Sequence, residues 1–354
     1  MSRIASERLV AIGGSALIIM SVTVLGCQAQ ATTTDPPSTQ VSVVPTPAPS
    51  LATPDPTPTA SPIPTPGPTA SPSASPVAPV ADPLLGTDGR LTVLLLGTDY
   101  RPAHPGNRTD AMMVVSMDPT TGKSAAFSIP RDIAHFPLPK SGSYGPKING
   151  LYQHLQSTMG NGGEGLKQAI SRAFDIEVDR YVLIGFPGVI KLVRAVGGVD
   201  VTLKERYYDP YYWVNNHHRG WGLPAGTSHL DADDALIFAR SRKGDSDFSR
   251  AKRQQQLVMA AVTKVRARGL DDLPKLLTIA RDNVRTDLPL DRAADLFALY
   301  STVDLTASER VVFAPTKFAV RAGGTDYRLV LDICRKWIAN HFPPVRPFGA
   351  WPPS

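Results

Sequence analysis

Between Phe238 and Gln255 the chain gathers cations, among them Arg240, Arg242, Arg250, Lys252 and Arg253, followed by the amide of Gln254, with Asp245 and Asp247 the only acids in the stretch. A helix beginning near Ser246 puts Arg250 and Gln254, four apart, on one face, with Arg253 three beyond Arg250. Arg240 and Arg242, two apart, point the same way if their stretch is extended. Guanidinium forks converging beside a helix N-terminus suit a phosphate or pyrophosphate. A single arginine here would read as part of a solvated, salt-bridged face. The density of cations points instead to anion binding.

Carboxylates collect where apolar strands are expected to end. Asp99 follows the apolar run 91–96 in Gly97-Thr98-Asp99, and Asp110 closes Arg108-Thr109-Asp110 ahead of the run 111–117. Two acids on neighbouring strand ends beside a phosphate site need a divalent cation between them. Mg2+ takes one or two carboxylates together with phosphate oxygens and water. The alternative makes Asp99 a turn cap and Asp110 a partner of Arg108. Arg131, in Ser128-Ile129-Pro130-Arg131-Asp132, and Lys147, in Lys147-Ile148-Asn149, add cations near a third strand end. Each alone reads as a surface ion pair of little energetic consequence. Together they supply the charge-neutralising groups that phosphoryl transfer requires.

Apolar patterning predicts the elements that must hold these groups. Strands are expected at 91–96, 111–117, 124–129, 181–186, 199–203 and 310–314. Helices are expected at 150–156, 164–174, 188–196, 231–239, 247–267, 270–282, 291–301 and 327–340. Buried strands interspersed with amphipathic helices specify an α/β domain, a mixed central sheet sandwiched by helices. The aromatic segment 207–213 is assigned to a loop near the site, where it either anchors the loop by packing or stacks on sugar rings.

Arg3 and Arg8 precede the apolar run 9–26, which ends Val24-Leu25-Gly26-Cys27, the pattern of an export signal closing in a lipobox-like sequence. Residues 1–27 therefore predict a membrane tether, through a lipid on Cys27 or as an uncleaved helix, with the rest of the chain outside the cytoplasm. Sixteen of the 34 prolines lie between Gln28 and Pro83, with no Lys or Arg between Cys27 and Arg90. Residues 28–85 are accordingly expected to be a disordered, polyproline-like stalk. At ~3 Å per residue its reach is at most on the order of 170 Å. Catalytic chemistry is then expected in 86–268, and 269–345 as a C-terminal extension packed on the same domain.

Removing the two basic and five acidic residues of the first 89 from totals of 37 and 31 leaves 35 and 26, a net of +9. That excess calls for an anionic partner. Export argues against nucleic acid, and no helix-turn-helix with a basic recognition helix is evident. With Cys27 and Cys334 the only cysteines, a cysteine-built zinc site is excluded. Cys334 is expected to be a buried thiol on a C-terminal helix.

Taken in order, Gly97-Thr98-Asp99, Arg108-Thr109-Asp110, Ser128 to Asp132, Lys147-Ile148-Asn149, Gly197 to Val201, Ala239 to Arg242 and Asp247 to Gln255 resemble the LytR–CpsA–Psr family of envelope proteins. The resemblance implies a phosphotransferase that takes a glycan from a polyprenyl-pyrophosphate carrier. It joins the glycan through a phosphodiester to peptidoglycan or another envelope acceptor, using Mg2+ or Mn2+. By the same resemblance Asp99 and Asp110 match metal-associated carboxylates. Arg108, Arg131, Arg240, Arg242, Arg250 and Gln254 match residues that hold the pyrophosphate, with Lys147 nearby and Arg108 and Arg131 also counted as catalytic. An apolar tunnel for the lipid is implied as well, with Leu151, Leu155, Ile170, Phe174, Val189 and Leu192 as candidate lining or as ordinary core. Two other functions remain open: a polyprenyl-pyrophosphate (pyro)phosphatase using water as acceptor, and a non-catalytic lipid-phosphate or wall-binding regulator.

Overall fold

Continuous apolar runs with no polar face need cover on both sides, and the central sheet has it. The computed structural model describes residues 84–100 and 107–344, all within the compact unit Pro72–Ser354. The expected signal, lipidation site and most of the stalk lie outside the described residues. Among the described residues no helix is long and apolar enough to cross a membrane.

Strand β1 (Leu91–Thr98) leads to the hairpin β2 (Thr109–Asp118) and β3 (Lys123–Ser128). A short pair, β4 (Phe136–Pro137) and β5 (Ser143–Tyr144), precedes helices α1 (Leu151–Met159) and α2 (Gly162–Phe174). Then come β6 (Arg180–Gly185), α3 (Phe186–Ala195) and β7 (Val199–Leu203). Three further strands, β8 (Tyr207–Trp213), β9 (Arg219–Leu223) and β10 (Gly226–Leu230), lead into α4 (Ala232–Arg240) and α5 (Asp247–Arg268). The chain continues through α6 (Leu273–Asn283), β11 (Val284–Thr286) and α7 (Ala293–Thr302). It ends with β12 (Glu309–Val312), β13 (Ala319–Gly323), β14 (Asp326–Leu329) and α8 (Leu331–His341).

The central sheet runs β11-β6-β1-β2-β3-β12. Strands β1 and β6 are parallel, as are β3 and β12, while β1–β2, β2–β3 and β6–β11 are antiparallel, so the sheet is mixed as expected. Both edge strands come from beyond Arg268. On one face Leu94, Leu96, Met112, Val114 and Phe127 pack against α1, α2 and α8. On the other, Met113, Val115 and Ala126 meet Met259, Val303 and Leu305. A separate core joins α3, α4 and α5 to β7 and β10 through Val193, Val199, Leu230, Phe238 and Leu257. The Gly197-Gly198 pair between α3 and β7 has φ of 76° and 87°. A Cβ at Gly198 would sit 2.6 Å from the Leu230 carbonyl oxygen, so only glycine fits that turn.

Several expectations are corrected. The segment 207–213 is strand β8, paired with β9, rather than a loop. Its alternation was hidden by tyrosines on both faces and by Pro210. The last helix starts at Leu331, because 326–329 pairs with β13 as a hairpin. Cys334 lies buried on α8 as expected, and burial pushes its thiol up to about 12.

Candidate active site

The first strand pair ends in a bulge: Gly97 faces Ala111, but Thr98 faces Thr109. Bulges commonly re-aim side chains beside active sites, and this one brings Asp99 and Asp110 to one cavity. The backbone N–H of Asp99 donates to the Arg108 carbonyl (3.1 Å), and the Arg108 N–H returns a bond to Asp99 Oδ1 (2.8 Å), closing the neck of the intervening loop. Asp99 thus does cap a turn while still facing the cavity. Asp110 accepts from Arg131 Nη1 and Asn149 Nδ2, each at 3.0 Å. Arg131, not Arg108, is its ionic partner.

Helix α5 is set by a local cap and by long-range anchors. Ser246 caps it through the Ser249 N–H at 3.1 Å. The Gln255 amide donates to Ser128 Oγ (2.8 Å) and to the Val311 carbonyl (2.9 Å), pinning the helix over the ends of β3 and β12. That places Arg250, only 6% exposed, against Asp247 at 3.0 Å, while Asp247 also faces Arg131 at 3.6 Å. Burial pulls the Arg250 pKa down, Asp247 partly restores it, and Arg131 and Arg242 repel it. Burial pulls on Arg131 too, but Asp110, Asp247 and Asp132 hold its pKa above the usual arginine range. Both side chains keep a buried Nε–H with no acceptor. Neither Nε reaches solvent, so the guanidinium groups can meet a ligand in the cavity only through their Nη atoms.

The cavity behind these groups is about 570 Å3 and predominantly apolar, walled by side chains such as Leu95, Met113, Val182, Ile184, Leu236 and Val258. Asp99, Asp110, Arg131, Arg240, Arg242, Arg250 and Gln254 all line it. Arg240 is the last residue of α4 and stacks on Phe186 at 4.5 Å; Arg242 follows beyond the helix end, so the two converge without sharing a strand. Gln254 also donates to the Ala239 carbonyl at 3.1 Å, tying α5 to α4.

Other expected members stand elsewhere. Arg108 is exposed and outside the cavity wall. Lys147 also lies off the wall, its Nζ bonded to Asp132 (2.6 Å) and Thr325 (2.9 Å), and the Asp132 bond raises its pKa. Arg253 belongs to the fold: its guanidinium grips Asp245 and the Ser241 carbonyl and stacks 4.0 Å over Tyr207. Lys252 points to solvent. Of the candidate tunnel residues, Val189 and Leu192 line the cavity. Leu151, Leu155, Ile170 and Phe174 are buried core on the opposite sheet face. Amphipathic helices cover both faces of this sheet, so periodicity alone could not say which faced the cavity. Asp247 and Asn149 join the site through Arg250 and Asp110, and only the first has a local signal, the i, i+3 spacing of Asp247 and Arg250.

Among the described residues no cluster of three His, Cys, Asp or Glu side chains could hold a metal unaided. Asp99 and Asp110 do place two carboxylates, the donor type of Mg2+ and Mn2+, on one cavity wall. Each carboxylate offers about four lone-pair sites, and such cations take their remaining ligands from phosphate and water.

The sequence profile of the LytR_cpsA_psr family matches residues 70–329. Polyisoprenyl-teichoic acid–peptidoglycan teichoic acid transferase TagU of Bacillus mycoides is 32% identical over 254 residues, covering 71% of this chain and 77% of that protein. The crystal structure of B. subtilis TagV has a similar fold, with a TM-score of 0.56 at 24% identity over 72% of this chain and 98% of that one. TagT bound to LIIa-WTA aligns with a TM-score of 0.55 at 24% identity, covering 72% and 91%. With its profile match spanning the sheet, the acid pair and the arginine-bearing helix, the chain belongs to the LytR–CpsA–Psr family.

Proposed function

We propose that this chain is an extracytoplasmic transferase that moves a glycan polymer from a polyprenyl-pyrophosphate carrier to peptidoglycan or another envelope acceptor. One observation carries the reading: a predominantly apolar cavity is lined also by four guanidinium groups and two carboxylates. A lipid chain suits the apolar wall, and a pyrophosphate suits the arginines. The name of the TagU relative, a transferase from a polyisoprenyl carrier to peptidoglycan, supports the same reaction.

In this reaction an acceptor hydroxyl attacks the phosphorus that bears the glycan. The P–O bond to the lipid-side phosphate breaks, polyprenyl phosphate leaves, and the hydroxyl proton passes to water. Arg131 and Arg250 orient the pyrophosphate oxygens and stabilise the charge that accumulates as the bond breaks. Arg240, Arg242 and Gln254 close the other side of the mouth. Asp99 and Asp110 would hold Mg2+ or Mn2+, which when bound supplies further neutralisation of phosphate charge.

The decisive assay supplies purified protein with a polyprenyl-pyrophosphate-linked glycan and peptidoglycan, and scores a phosphodiester product. Release of lipid phosphate without glycan transfer would mark a pyrophosphatase instead, and binding without turnover a regulator. Asp99→Ala and Asp110→Asn are each expected to abolish divalent-dependent turnover and to weaken Mn2+ uptake in calorimetric titration with ligand present, with unfolding midpoints little changed. Full activity of both variants in excess EDTA overturns the metal assignment.

The segment 1–27 would hold the domain at the outer membrane surface, with 28–85 as its stalk. Metabolic labelling with a fatty-acid analogue is expected to mark the wild type and not Cys27→Ala. Membrane retention without any label would point to an uncleaved helix.

A further inference from the structure

Beyond the arginines of the mouth lies a second cleft that the transfer chemistry does not use. It measures about 300 Å3 and is lined by Asp209, Tyr211, Tyr212, Trp213, Lys243 and the same Arg240 and Arg242 that line the apolar cavity. Its aromatic wall is β8, held in hairpin with β9. Tyr211 is 56% and Trp213 60% exposed, unusual for rings of this size. Arg219 covers both, at 4.9 and 5.4 Å from the ring centroids, and so fixes their orientation from one side. Arg240 reaches the Tyr212 hydroxyl at 3.2 Å, joining the cleft to the mouth.

Asp209 is the only acid of this wall, and it is neutralised within the fold. It is 1% exposed, and its carboxylate accepts from Ser241 Oγ (2.7 Å) and from the backbone N–H groups of Tyr211, Arg242 and Lys243. The cleft therefore presents open aromatic faces, cationic donors and no free carboxylate. Such a surface fits a pyranose ring beside a phosphate: apolar C–H faces on the rings, hydroxyl and phosphate oxygens on the cations.

We infer that this cleft seats the sugars of the donor glycan nearest the pyrophosphate. The inference rests on the proposed pyrophosphate site, and order along the ligand supports it. A carrier-linked glycan runs lipid, pyrophosphate, sugar; the protein runs apolar cavity, Arg240 and Arg242, aromatic cleft. With the lipid inside and the phosphates at the shared arginines, the first sugars emerge against Tyr211 and Trp213.

The test compares binding of a short-chain polyprenyl pyrophosphate with binding of the same lipid carrying an N-acetylated disaccharide, in detergent. Tyr211→Ala/Trp213→Ala is expected to weaken the disaccharide lipid roughly tenfold and leave the bare lipid unchanged. Tyr211→Phe/Trp213→Phe should recover most of the loss. Both rings are exposed, so the variants should fold, and circular dichroism checks this. Equal loss for both lipids, no loss for either, or loss only toward a soluble peptidoglycan fragment overturns the assignment. A wild type that fails to bind the bare lipid, or an Arg250→Ala variant that binds it normally, refutes the pyrophosphate site and this subsite with it.

Discussion

Replacing Arg250 by alanine is expected to weaken binding of a polyprenyl pyrophosphate roughly ten- to a hundredfold, since a charge-assisted bond to a partly buried phosphate is worth about 1.5–3 kcal/mol. Arg250 is buried, its Nε–H has no acceptor, and neighbouring Arg131 and Arg242 repel it. Holding such a charge ready costs stability in the unliganded protein. Its removal leaves Asp247 with Arg131 at 3.6 Å, so the unfolding midpoint should stay the same or rise. Arg250→Lys keeps the charge without the planar fork and should bind nearly as poorly as alanine. Lys252→Ala, on the solvent side of the same helix, is the control. Equal binding by Arg250→Ala and Lys252→Ala would reduce the cluster to a charged surface.

Arg253→Ala should fail in the opposite way. Three residues further along α5, this guanidinium bonds Asp245 at 2.5 and 3.2 Å and the Ser241 and Phe238 carbonyls, and stacks on Tyr207. Every direction around it is filled by the protein. Removing one partner of such a buried pair costs about 3–5 kcal/mol, a large share of the stability of a single domain. The turn 241–246 that presents Arg242 would loosen with it, so lipid binding should fall as a consequence of unfolding. Urea denaturation of the two variants separates the roles: Arg250→Ala loses ligand affinity and Arg253→Ala loses stability. An Arg253→Ala protein as stable as wild type but defective in binding would return Arg253 to the anion site.

The contrast between these two arginines shows how far sequence reasoning reaches. Their spacing on one helix, and the cation density around them, were readable as an anion site. Which guanidinium faces ligand and which faces protein was not, because that depends on Asp209 and Tyr207, some forty residues upstream. Asp209 holds the 241–243 turn through three of its bonds, and Tyr207 supplies the ring under Arg253. The partners of Lys147 are out of reach of local patterns for the same reason, since Thr325 and Asp326 sit on a hairpin that periodicity assigns in part to a helix. Strand β8 is hard to read from residue type because Tyr207 and Asp209 are buried while Tyr208, Tyr211 and Trp213 stay exposed, so aromatic and buried positions do not coincide.

The sequence by itself determined the strands and helices whose hydrophobic period is long and regular. It also determined the caps that start α4 and α5, the glycine pair after α3, and the residue types a phosphate site requires. These are local properties, set within a few residues by backbone sterics and side-chain periodicity. Only the tertiary structure decided which face of the sheet is hollow, which four arginines ring the opening and which carboxylate pairs with which cation. Those outcomes depend on contacts such as Gln255 to Ser128, 127 positions apart, whose geometry no local pattern encodes. A cavity is a place where packing stops, and it exists only once every surrounding element has been placed.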